Sequence, residues 1–407
     1  MGQAMRKHGE LEGDAVPVRT GIDVLLARNF DLLRGAKVGV ITNATGVFQN
    51  MVHLVDVLHN AEGVDMVAIF GPEHGFRSAV PEGSSEAFYV DKRTRVPVYD
   101  TYQKSGKKLM KLFEAAGVDL LLFDIQDVGA RFYTYIWTLY DHMVAAAMSE
   151  RPIKIVVTDR PNPLGGVVAD GPVMEPAYSS FVGRKAIALR HGMTVGELAR
   201  LFNAEFVVMD AGKQVDLEVV SMEGWHRSML FFETKLVWVP PSPNIPSANS
   251  ALLYMGMCLF EGTNCSEGRG TALPFELIGA SYIDEKLISY LQQQDCPGVL
   301  FREACFQPFC SKFSGTTING IQTHILDYNA VNPLRTALTL IAALHKLYPD
   351  KFRWRQDGKS FWLDVLVGNN VVREMLSKGA TADEVMASWQ DDVVWFGATR
   401  SKYLLYN

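Results

Sequence analysis

The chain has little cysteine, no surplus of positive charge and no apolar run of membrane length, and each shortage removes a class of function. Five cysteines occur in 407 residues: Cys258, Cys265, Cys296, Cys305 and Cys310. No two have CxxC spacing, so neither a zinc site nor a thioredoxin-like pair is expected, and the odd count argues against a full disulfide framework. Buried or half-exposed thiols are the expectation. The net charge of −6 disfavours nucleic acid or an anionic membrane surface as a general partner. No stretch is long and apolar enough to span a bilayer. The first twenty residues are polar and mixed in charge, without the apolar stretch of a leader. The expected location is therefore cytoplasmic, or periplasmic or secreted if a leader was removed before residue 1. There is no Walker A loop, no GxSxG elbow and no HExxH spacing, so neither a metal nor another cofactor is expected.

Hydrophobic residues make up 48% of the chain and charged residues 21%, which describes a globular protein. Its length exceeds one ordinary core, so two domains are expected. Four short apolar runs end at polar clusters. Val38-Gly39-Val40-Ile41 stops at Thr42-Asn43. Val67-Ala68-Ile69-Phe70 stops at Gly71-Pro72-Glu73-His74-Gly75-Phe76-Arg77. Leu120-Leu121-Leu122-Phe123 stops at Asp124-Ile125-Gln126-Asp127-Val128-Gly129-Ala130-Arg131. Ile153-Lys154-Ile155-Val156-Val157 stops at Thr158-Asp159-Arg160-Pro161-Asn162-Pro163. Such runs read as buried parallel strands, and helical patterns alternate with them near 52–58, 109–116 and 135–148. Strand–helix alternation predicts an α/β domain over 21–237 with right-handed crossovers, after a loose tail at 1–20. The proline-rich segment 238–246 marks a junction, because its prolines remove donors and fix φ. Beyond it, 238–407 reads as an α+β domain, with helices near 251–261, 284–294 and 332–347 and strands near 299–306 and 316–327.

In open α/β sheets ligands bind beyond the carboxyl ends of the strands, so the polar clusters are expected along one rim. Glu73, beside His74 and Arg77, is a candidate general acid or base; a structural ion pair with Arg77 is the plainer alternative. Asp124, Gln126, Asp127 and Arg131 crowd one turn, where they could clamp sugar hydroxyls or cap the helix beginning near Tyr133. Tyr133 adds aromatic surface. Asn162 and Asn244 each sit between prolines, which holds a side chain towards a ligand or merely makes a tight turn. In the second half, the glycine-rich segment from Glu261 to Thr271 offers Glu267 and Arg269, its glycines allowing close backbone approach.

Taken together these motifs resemble the exo-β-N-acetylmuramidase family, long catalogued as a domain of unknown function. The matching segments run nearly end to end: 21–23, 41–46, 70–77, 123–139, 159–166, 170–172, 180–183, 190–194, 240–246, 260–271 and 403–406. The resemblance implies a Rossmann-like parallel sheet domain followed by a smaller second domain, with the site in the cleft between them. It also implies a glycoside hydrolase releasing N-acetylmuramic acid from the non-reducing end of peptidoglycan fragments. The Glu of the family's Gly-Pro-Glu-His-Gly motif falls on Glu73. The chain departs from the family just after Arg77, where Ser78-Ala79-Val80-Pro81-Glu82-Gly83-Ser84 displaces an acidic residue to Glu82.

Glycoside cleavage requires a carboxylic acid and a second group as base or nucleophile. Glu73 is the first choice for one; Asp127, Glu267 and Asp124 are open candidates for the other. Arg77, Arg131, Arg160 or Arg269 could hold the lactyl carboxylate of muramic acid. Asn43, His74, Gln126, Tyr133, Asn162, Asn244 and Glu261 complete the expected substrate contacts. The expected partner is a small muramyl saccharide, and the oligomeric state is left open. The rival readings are a non-catalytic peptidoglycan-binding protein and a nucleotide-dependent oxidoreductase, the latter disfavoured because the glycine fingerprint is incomplete.

Overall fold

The computed structural model describes residues 17–77, 80 and 83–407. The expected tail falls outside it up to residue 16, as does Glu82. Residues 18–20 are no loose tail: Val18 is buried, its N–H donates to the Thr234 carbonyl, and Arg19 pairs with the backbone of Glu223.

The strands in chain order are β1 (Lys37–Thr42), β2 (Asp65–Gly71), β3 (Tyr89–Val90), β4 (Pro97–Asp100), β5 (Leu120–Asp124), β6 (Lys154–Thr158), β7 (Asp170–Val173), β8 (Ala188–Arg190) and β9 (Asp216–Val220). The second half adds β10 (Leu277–Ala280), β11 (Val299–Phe306), β12 (Ile318–Ile325) and the small hairpin β13 (Gln356–Asp357) and β14 (Ser360–Phe361). Seven strands form one sheet in the order β3-β4-β2-β1-β5-β6-β9, parallel except for β3 against β4. From the central β1 the chain winds first to one side and then to the other, the doubly wound plan. Every residue of β5 is buried, as a strand covered by helices on both faces must be.

Among the helices, Lys107–Ala116 ends at Gly117, whose φ of 66° closes it in the left-handed conformation. Thr194 and Glu197 form a capping box. The second half packs helices Ala248–Met257 and Pro333–Leu347 against a three-stranded antiparallel sheet, β10-β12-β11. β10 was not anticipated: Leu-Ile-Gly-Ala is too short and too glycine-interrupted to show a period. One hydrophobic core runs from Ile41, Leu121 and Ile155 on one sheet face into Leu253, Leu338 and Phe260 of the second half. A separate cluster around Val38, Leu122 and Ile22 covers the other face.

Candidate active site

A cavity of about 800 Å³ is lined by residues of both halves. Its first wall begins where β2 ends. The chain turns at Pro72, and the Glu73 side chain accepts from the Thr134 hydroxyl at 2.9 Å and from the Gly83 N–H at 3.0 Å. Thr134 stands at the N-cap of the helix Tyr135–Met148 but caps nothing with its side chain; its hydroxyl serves Glu73 instead. The carboxylate thus lies at the positive end of a fourteen-residue helix. His74 holds φ = 70°, a conformation few side-chain-bearing residues adopt. Its N–H donates to Ser84, and its Nδ1 lies 3.0 Å from the Val80 carbonyl. Tyr102 faces Glu73, and burial, then the charge of Glu73, push its phenol up to about 12. Tyr133 and Tyr135 meet edge to face at 5.1 Å. Tyr133 lines the cavity beside Ser242, its hydroxyl buried.

The opposite wall is the glycine-rich segment. Arg269 donates to Glu261 at 2.7 Å and lies 3.4 Å from Glu267, whose other oxygen accepts from Lys312 at 3.0 Å. The Lys312 ammonium also donates to the carbonyls of Phe260 and Cys265. Burial pushes the Glu261 carboxyl up, but Arg269, with the Trp362 indole N–H and Lys312, outweighs it and holds the group below its usual range. Gly268 allows this turn: its φ is 79°, and a Cβ there would stand 2.8 Å from the Leu277 carbonyl oxygen. Asn244 and Ser242 line the same cavity from the proline-rich junction.

The rim therefore divides. Glu73, His74, Tyr133, Asn244, Glu261, Glu267 and Arg269 line one cavity. Asn43, Asp124, Gln126, Arg160 and Asn162 do not; their side chains are taken up by other protein groups. Asp124 is fully buried in an ion pair with the Arg160 Nε. Burial raises its pKa, with Arg160 opposing. Arg160 also donates to the Val47 carbonyl. Asn43 accepts from Thr45, the Gln126 amide donates to the carbonyls of Asp127 and Pro161, and Asn162 donates to the Met193 carbonyl. Gln126 and Arg160 border only a small separate cavity of about 170 Å³.

Three further expectations are corrected. Asp127 lies behind the cavity wall, its Oδ2 accepting from the Gly129 N–H at 2.7 Å and facing His191 Nε2 at 3.4 Å. Arg131 is fully buried, and its two terminal nitrogens donate to the carbonyls of Pro172, Ile187, Leu366 and Val367 rather than to a sugar carboxylate. Arg77 lies over Phe76 and pairs with Asp91 at 3.1 Å, outside the cavity. Tyr102, Thr134, Lys312, Arg355 and Trp362 also line the cavity. No apolar run ending in a polar cluster marks them in the sequence. Among the described residues no group of His, Cys, Asp and Glu could hold a metal ion, and no helix is long and apolar enough to cross a membrane.

A doubly wound α/β half, a smaller α+β half and an interdomain cavity of carboxylates, arginine and tyrosines describe a protein built to hold a polar, ring-shaped ligand such as a sugar. The chain belongs to the exo-β-N-acetylmuramidase NamZ family: the family's N-terminal model matches residues 38–249 and its C-terminal model residues 252–406. It is 43% identical over 390 residues to the peptidoglycan β-N-acetylmuramidase NamZ of Bacillus subtilis (strain 168), covering 96% of this chain and 91% of that one. Crystal structures of two DUF1343 family proteins from Bacteroides fragilis NCTC 9343 share the fold. One has a TM-score of 0.87 at 36% identity and the other 0.76 at 32%; each match covers 96% of this chain and 99% of the other.

Proposed function

We propose that this protein is an exo-β-N-acetylmuramidase, hydrolysing the glycosidic bond that joins a terminal N-acetylmuramic acid to the rest of a peptidoglycan fragment. The observation that carries this reading is the seat of Glu73. It is a carboxylate on a strand-end turn, oriented by a threonine hydroxyl and a backbone N–H, and it opens into an interdomain cavity walled by tyrosines. The relative from B. subtilis, named for this activity, supports the substrate class. In this reading Glu73 exchanges the proton with the glycosidic oxygen. Glu267, on the facing wall, is the second carboxylate that glycoside cleavage requires. The Tyr133 hydroxyl and the Asn244 amide meet sugar hydroxyls or the acetamido group. Asp127, with His191 behind it, is a positioning residue rather than a catalytic one.

The partner in this reading is a small muramyl saccharide, the substrate class that the relative's name supports. We propose a periplasmic or secreted location, with the cytoplasm as the alternative. The test is release of chromophore from a chromogenic N-acetylmuramide with no cofactor added. Glu73→Gln should fold as the wild type and lose at least about a hundredfold in turnover, the usual contribution of a general acid or base. A Gln variant with near wild-type turnover removes Glu73 from the mechanism. A wild type that binds the sugar without cleaving it makes the protein a binding module.

A further inference from the structure

We infer that Arg355, at the mouth of the cavity, reads the free lactyl carboxylate of muramic acid and so sets the preference for this sugar over N-acetylglucosamine. This rests on the muramidase reading above. Three carboxylates and three Lys or Arg cations line the cavity: Glu73, Glu261 and Glu267, with Arg269, Lys312 and Arg355. The two inner cations are engaged by the protein itself. Arg269 lies between Glu261 and Glu267, and Lys312 is held by Glu267 and two carbonyls. A third carboxylate brought to either would face Glu261 or Glu267 at close range, and like charges there repel.

Arg355 differs in three ways. Its backbone is pinned on both sides, its N–H donating to the Gly262 carbonyl and its carbonyl accepting from the Trp362 N–H. Its guanidinium lies over the Trp362 ring at 5.2 Å, and that indole is itself fixed by donating to Glu261. The head group is thereby oriented without being enclosed. Its partner, Asp357, two residues on, takes only Nε and Nη2, at 3.4 and 3.0 Å. Both side chains are about half exposed, at 44% and 49%, and solvent screens such a pair so that it holds the guanidinium weakly. Nη1 has no hydrogen-bond partner among the described residues. A lactyl group is a short flexible ether carrying one carboxylate. It distinguishes muramic acid from N-acetylglucosamine, and its planar anion matches a guanidinium with a donor to offer.

The experiment compares three glycosides with the same chromophore: the N-acetylmuramide with a free lactyl carboxylate, its neutral lactyl methylamide, and the N-acetylglucosaminide. Each is assayed with wild type, Arg355→Ala and Arg355→Lys. Wild type should prefer the free acid over the methylamide by about ten- to a hundredfold in kcat/KM, as one charge-assisted hydrogen bond provides. Arg355→Ala should lose that preference, mostly through KM, so that the free acid is cleaved no better than the methylamide. Arg355→Lys should restore part of it, a result that a merely structural arginine would not give. An acid-to-methylamide ratio in Arg355→Ala equal to that of wild type overturns the assignment and moves the reader to another residue. A wild type that cleaves neither muramide overturns the enzymatic reading itself, and this inference with it.

Discussion

Replacing Arg131 by Met tests whether the most deeply buried cation of the chain is a structural clamp or a ligand group. Its two terminal nitrogens reach four carbonyls, those of Pro172 and Ile187 in the first half and Leu366 and Val367 in the second. Its own carbonyl accepts from the Trp137 indole at 2.7 Å. Burial pushes the guanidinium down to about 9, with the charge of Asp392 opposing, so these carbonyls are what make a charged side chain tolerable there. Methionine fills much of the volume and removes that desolvation cost, but it donates nothing. Each carbonyl left without a partner costs about 1–3 kcal/mol. Set against the relief of the buried charge, a net loss of about 3–5 kcal/mol follows, as when one partner of a buried polar cluster is removed. The assay is urea unfolding followed by tryptophan fluorescence, with kinetics on the muramide under folding conditions. The expected result is a lower midpoint with the acid-to-methylamide preference intact. A variant within about 1 kcal/mol of wild-type stability that has lost the preference would refute this reasoning and return Arg131 to the sugar.

Thr134→Val removes the hydroxyl that orients Glu73; steady-state kinetics should show turnover down by roughly tenfold with KM little changed, and unchanged turnover would mean the contact is idle. Asp159 should make stability depend on pH. Burial, opposed by hydrogen bonds from Thr194, Tyr406 and the Gly196 N–H, pushes it up to about 6 in the folded protein, against about 3.9 unfolded. Because the folded value is the higher one, the contribution is complete below about pH 4 and is lost as pH rises through 6. The difference is about 3 kcal/mol. Unfolding free energies of wild type and Asp159→Asn at pH 4.5 and 7.5 should show the steeper decline in wild type, and parallel profiles would contradict it.

The strands and their carboxyl-end clusters were legible because β1, β5 and β6 are apolar on both faces and stop abruptly. Glu73 was legible for the same reason. What the pattern could not reveal is which strand end faces the second half. Asp124 and Arg160 carry the same residue types as a ligand site, yet they pair with each other in the interior. Residue type and strand position look alike whether a charge meets a ligand or another charge; only the third dimension separates them. Arg131 misled similarly, since a guanidinium serving four carbonyls leaves no trace in local sequence. Lys312 and Arg355 lie in irregular segments of the second half, far along the chain from Glu73. No periodicity links them to it.

The hydrophobic core that passes without interruption from the seven-stranded sheet into the helices of the second half has a mechanical consequence. Two lobes that close over a ligand need a hinge, and a hinge needs a seam where few apolar contacts cross. Here the seam is filled, so the lobes behave as one block with a fixed gap. Calorimetry should record a single melting transition. A sugar must then enter and its product leave through the standing opening beside Arg355, without the slow opening step that limits many lobed enzymes.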